Sequence, residues 1–190
     1  MSGISQANCK CRLTFVKNKQ RKRLLPFQYY DEFHLITIPM KGKAPIIRNW
    51  PNAKETVPPS TSDLNTGILT GKINDITVLD IDVQDNGLAL WKQISSKYSP
   101  INTPTAVSPS GSIHLYFRYN PKVRTSNKIV VNGKKVGWDV RSDKGIIVAP
   151  PSRNTRGDLY KWKISMDQAK CALMPKWLED YVVKHQVPKK

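Results

Sequence analysis

The segment ITVLDIDVQ, residues 76–84, places two aspartates, Asp80 and Asp82, in a run that is otherwise built to be buried. An ionised carboxylate in a dry interior is costly, and two of them two residues apart on a strand repel each other on the same face. Leu79, Ile81 and Val83 then take the opposite face and pack, while the acidic face looks into a cleft. The arrangement asks for a cation.

Two further segments repeat the pattern. In SIHLYFRY, residues 112–119, Ser112, His114 and Tyr116 share one face and Ile113, Leu115 and Phe117 the other. In GWDVR, residues 137–141, Asp139 and Arg141 oppose Trp138 and Val140. If these strands are neighbours, three carboxylates converge, the oxygen-rich donor set that suits Mg²⁺ or Mn²⁺. Two such ions about 3.5–4 Å apart activate an attacking hydroxyl and steady a leaving pyrophosphate. His114 and Ser112 would face the triphosphate, and Arg141 offers a bidentate fork to phosphate oxygens. Each piece has an ordinary alternative: a D-x-D can end a strand or cap a helix, a strand histidine is often structural, and Arg141 can simply pair with Asp139. The combination, in this order, carries the argument.

The rest of the chain reads as α+β. HLITIPM, residues 34–40, predicts a strand stopped by a turn at KGK, followed by a surface loop, PNAKETVPPSTSD. TGILTG precedes the acidic strand. DNGLALWKQISSKY has helical spacing, with Leu88, Trp91, Ile94 and Tyr98 on one side. KIVVNGKKV predicts a hairpin turning at Asn132 and Gly133, GIIVAP another strand, and MPKWLEDYVVKH a closing helix with Trp177, Tyr181, Val182 and His185 inward.

Charge points to the partner. With 31 Lys and Arg against 14 Asp and Glu, the formal net charge is +17, so a polyanion, foremost nucleic acid, is expected. The basic residues are spread along the chain, with one cluster, KNKQRKR, at Lys17 to Arg23. No segment has the length and apolarity of a membrane span, and MSGISQANCKC lacks the apolar run of a signal peptide, so a soluble, intracellular protein is expected. Cys9, Cys11 and Cys171 are too few for a disulfide framework, and no second Cys or His pair completes a zinc site.

Four blocks in order, IPMKGKAPIIRNW, NTGILTGKINDITVLDID, SPSGSIHLYF and GWDVRSDKGIIVAPPS, resemble the archaeo-eukaryotic primase superfamily, specifically the primase-polymerase domains of plasmids, phages and large DNA viruses. The similarity runs from about Ile36 to Ser152. It implies an N-terminal αβ module plus an RRM-like mixed sheet with the active site in the cleft between them. It further implies metal-ligand roles for Asp80, Asp82 and Asp139 and nucleotide-phosphate contacts by Ser112 and His114; Lys43, Arg141 and Ser152 lie in matching blocks. Where many relatives have a second glycine this chain has Ser112, which brings in Ser110 or the amides near Gly111 as phosphate contacts.

The resulting expectation is a basic segment at 1–30 and a catalytic domain at 31–186. The domain is a template-dependent nucleotidyltransferase, a DNA primase and DNA polymerase, using nucleoside triphosphates, a single-stranded DNA template and two Mg²⁺ or Mn²⁺ ions. Relatives often continue into a helicase, so the domain is expected to head a longer primase-helicase or to work with a helicase in trans. A non-catalytic nucleic-acid or nucleotide-binding module of the same fold is the alternative reading, and a metal-dependent nuclease a third.

Overall fold

The computed structural model describes residues 26–187. Cys9, Cys11 and the basic cluster at Lys17 to Arg23 lie outside the described residues. The first described element, helix α1 (Pro26–Asp31), packs into the folded body, with Tyr30 fully buried.

Two antiparallel sheets make up the scaffold. The first contains strands β1 (Thr37–Lys41), β2 (Ala44–Pro45), β3 (Asn65–Thr70) and, from much later in the chain, β10 (Gly145–Ala149), in the order β10-β3-β1-β2. The turn between β1 and β2 falls at Gly42, whose φ of +59° suits the residue without a Cβ. The expected surface loop runs between β2 and β3 and contains a short 3₁₀ turn at Trp50–Asn52.

The second sheet contains β4 (Ile76–Ile81), β5 (Thr105–Val107), β6 (Ile113–Arg118), β9 (Trp138–Arg141) and β11 (Lys161–Ile164), in the order β11-β5-β6-β4-β9. Its four pairings are all antiparallel, where a mixed sheet was the expectation. Helix α2 (Gly87–Ser95) joins β4 to β5, and these two strands run parallel because each is antiparallel to β6 between them. Counting β4, β5, β6 and β9 as first to fourth, the spatial order is fourth-first-third-second, the split βαβ arrangement of RRM-like sheets. The place of a second helix between the third and fourth strands is taken by a small hairpin, β7 (Val130–Val131) and β8 (Lys134–Lys135), turning at Asn132 and Gly133, both with positive φ. The covering helix is instead the last element, α3 (Lys176–His185).

The second sheet is covered on both faces. Leu79, Ile81, Leu115, Phe117, Trp138 and Val140 pack under α2 and α3, where Leu178 and Val182 are fully buried and Leu88, Trp91, Ile94, Trp177 and Tyr181 close the rim. Each such side chain removed from water contributes about 1.5–3 kcal/mol. On the other face Val78 and Tyr116 meet Tyr30, Ile68, Ile147 and Ala149 of α1 and the first sheet. The face that carries the aspartates is therefore apolar at Ile76 and Val78 and acidic only from Asp80 onward. Val83, expected to pack, lies past the end of β4 and is 45% exposed. Tyr98 lies beyond α2 and stacks on Trp177, with centroids 4.2 Å apart.

Candidate active site

β4 is the central strand of the three that carry the polar pairs, and its register sets the site. Asp80 stands directly opposite His114 on β6 and directly opposite Asp139 on β9. Directly opposed residues on antiparallel strands share a face with Cβ atoms about 4.5–5.5 Å apart, and like charges there destabilise the sheet. Asp82 follows at the strand end, its N–H donating to Gly137 O at 2.7 Å. This approach needs two glycines. A Cβ on Gly137 would lie 2.3 Å from Gln84 O, and one on Gly87 would lie 2.3 Å from Gly137 O.

The acids have different surroundings. Asp80 has a side chain only 16% exposed, and burial, then Asp82 and Asp139, push its carboxyl up to about 7. Arg141 and Lys43 pull in the other direction without cancelling this. Its Oδ1 is buried without a hydrogen-bond partner. His114 Nε2 approaches that oxygen to 3.4 Å, yet the contact is not a hydrogen bond, and burial, reinforced by Lys43 and Arg141, holds the imidazole down to about 3. His114 is thus a neutral ring at neutral pH, and its Nδ1 is also buried and unpaired.

Asp139 is fully engaged. Oδ1 accepts from Lys128 N at 2.8 Å, and Oδ2 pairs with Arg141 Nη2 at 2.5 Å while Arg141 Nη1 donates to Asn127 Oδ1 at 2.9 Å. Lys128 also contacts Asp85 through its ammonium. Asp82 Oδ1 accepts from Ser112 Oγ at 3.1 Å. Ser112 begins a hydroxyl chain through Ser110, 3.4 Å away, to Ser108, a further 2.9 Å, folded tightly at Gly111 with φ +91°.

The candidate residues Asp80, Asp82, Asp139, His114, Ser112, Ser110 and Arg141 therefore form one connected neighbourhood on the second sheet. Lys43 comes from the first sheet, exposed on the β1–β2 turn, and its charge is felt at both Asp80 and His114. Ser152 is elsewhere in role: its hydroxyl accepts from Thr66 N at 3.0 Å and donates to Thr66 O at 3.3 Å, fixing the end of β10 to β3. Four participants escape sequence reasoning. Tyr160 is buried against Met40 and Val148, its ring 5.9 Å from His114, and its hydroxyl is raised by burial and by Asp80 and Asp82. Ser108, Asn127 and Lys128 act through the turn and loop geometry that brings them in, which no local pattern announces.

Hard carboxylate oxygens, one of them buried and unpaired, suit a divalent cation, while Asp139 is occupied by Arg141 and Lys128. Among the described residues, no three His, Cys, Asp or Glu side chains are already gathered as a metal cluster. Any ion here would complete its coordination with phosphate or water oxygens, as Mg²⁺ commonly does. No described helix is long and apolar enough to cross a membrane.

No curated protein matches the chain. The family model for the bifunctional DNA primase/polymerase, N-terminal domain matches residues 27–177, from α1 through both sheets to the start of α3. The chain belongs to that primase/polymerase family.

Proposed function

We propose that the chain is a template-dependent nucleotidyltransferase that builds DNA or RNA primers on single-stranded DNA and extends them. The observation that carries this reading is the placement of Asp80 between His114 and Asp139 in the register of β6-β4-β9, beside a charge from Lys43 on the other sheet. A nucleic-acid-binding surface alone has no use for opposed carboxylates; a reaction centre that holds cations against a triphosphate does.

In this reading Asp80 and Asp82 would hold Mg²⁺ or Mn²⁺, joined by Asp139 when Arg141 turns from the carboxylate to a phosphate oxygen. Such ions supply charge neutralisation at the triphosphate and lower the pKa of a coordinated hydroxyl. The chain's own residues do the rest. Neutral His114, with one N–H donor and no imidazolium charge, binds a phosphate oxygen without repelling the neighbouring cations. Ser112, Ser110 and the amides of the Gly111 turn give short, rigid donors to the same phosphates. Lys43 and Arg141 close over the triphosphate from opposite sheets. The wider basic surface holds template phosphates, so affinity falls steeply with salt.

The test is primer synthesis and primer extension on single-stranded templates, with ribonucleotides and deoxynucleotides supplied separately. Asp80→Ala and Asp139→Ala are expected to abolish product while DNA binding is retained. Normal product from both purified variants overturns the assignment. The ion pair between Asp139 and Arg141 favours one other reading, a nucleotide-binding module without catalysis, in which that pair is permanent. Triphosphate binding without any product under Mg²⁺ or Mn²⁺ decides for it.

A further inference from the structure

On the reverse face of the second sheet, away from the aspartates, lies a groove of about 690 Å³. Ile113 and Leu115 line it, and they alternate along β6 with His114, which faces the acids, so it opens on the opposite side of the sheet. Its rim is aromatic and basic, with Trp91, Tyr98 and Trp177 beside Lys92 and Lys163. Among the described residues, no Asp or Glu lines it and neither lysine makes an ion pair.

Two of the rings stack on each other. Tyr98 lies flat on Trp177, 1° from parallel and 4.2 Å between centroids, so one of its faces is covered. It is nonetheless 46% exposed and lines the groove beside Trp91 and Trp177. β11, which brings Lys163, is the edge strand of the sheet. β9, which brings Asp139, is the opposite edge, so the groove and the acids lie on different faces of the sheet and towards different edges.

We propose that this groove is a second binding site for single-stranded nucleic acid, in which a base extends the Trp177–Tyr98 stack and Lys92 and Lys163 take the flanking phosphates. Unpaired bases fit because both of their faces are free to stack, whereas a duplex hides them. Unpaired cations and the absence of acids select a polyanion over an apolar peptide. The site rests on the reading that this chain works on single-stranded DNA, and adds a contact remote from the catalytic face.

The test measures binding of the 190-residue chain to fluorescent oligodeoxynucleotides by anisotropy. Oligomers of about 6 and about 16 nucleotides span the range of site sizes that single-strand grooves cover. The longer oligomer is expected to bind more tightly, and Tyr98→Ala to remove that gain, weakening its binding about 5- to 150-fold. Tyr98→Phe, which keeps the ring, is expected to bind as the parent does. The pair Lys92→Ser and Lys163→Ser is expected to flatten the log–log salt dependence by about 0.7 per lysine. Asp80→Asn serves as a separate arm. If it still makes primers, the proposed catalytic function fails while the groove stands. If Tyr98→Ala and the lysine variants bind the longer oligomer with unchanged affinity and salt dependence, the groove proposal is overturned, whatever the catalytic result. Weakened binding by Tyr98→Phe equal to that of Tyr98→Ala also overturns it, because stacking would then not be the source.

Discussion

Replacing Asp80 by Asn should stabilise the metal-free domain while ending synthesis, and the stabilisation should depend on pH in a way that identifies its cause. In the folded chain burial, with Asp82 and Asp139, lifts the Asp80 carboxyl from 3.8 to about 7. The folded state therefore binds more protons than the unfolded state between those values, and Asp80 lowers stability progressively as pH rises through that window. Above pH 7 the cost is complete, and a carboxyl lifted this far carries a penalty of about 4 kcal/mol as an upper value. Asn keeps the shape without the charge, so Asp80→Asn is expected to gain about 2–4 kcal/mol at pH 8 and almost nothing near pH 4. For a chain of this size that is a rise of roughly 5–15 °C in Tm at the higher pH. His114 has the opposite sign. Held neutral down to about 3, it costs stability as pH falls below its unfolded value of 6.5. It is common to both proteins and cancels in the difference. The assay is differential scanning fluorimetry of both proteins in chelator from pH 4 to 8, repeated with MnCl₂, which should raise the wild-type Tm at pH 8 more than that of the variant. A Tm difference that stays constant across the pH range, or a variant less stable at pH 8, refutes the reasoning.

Two further substitutions probe how the site is held. Gly137→Ala places a Cβ 2.3 Å from Gln84 O, a backbone atom with little room to yield, so the approach to β9 must move away from the segment that follows β4. Chemical denaturation should show a loss of about 1–3 kcal/mol, and synthesis should fall further than the stability loss explains. An unchanged midpoint would mean that the two segments are not packed as described. Ser112→Ala removes the hydroxyl donating to Asp82 Oδ1 and should lower primer synthesis about 10-fold with little change in Tm. Full activity in this variant would leave Ser110 and the Gly111 turn as the only donors from that loop.

What the chain reveals in one dimension divides along a physical line. Period-two alternation in β4, β6 and β9 is local information, and it is enough to sort Leu79, Ile81, Leu115, Phe117, Trp138 and Val140 to the helical side and Asp80, His114, Asp139 and Arg141 to the other. Pairing is not local. That Asp80 meets both His114 and Asp139 depends on β4 lying between β6 and β9, two strands that the chain reaches only after α2 and β5 have been laid down. β10 shows the same limit: it follows β9 after a short turn, yet the chain leaves the second sheet there and β10 pairs with β3 in the first. Ser152 is the consequence, since a hydroxyl in a block that also carries Asp139 is carried away with β10 and spent on Thr66. Tyr160 and Lys128 show the converse, because they reach the site only through tertiary packing, from a loop before β11 and from the approach to the β7–β8 hairpin. The acidic face was legible because burying charge on a strand is energetically anomalous, and the anomaly sits in consecutive letters. Its supporting residues, being individually ordinary, acquire a role only from the neighbours the fold gives them.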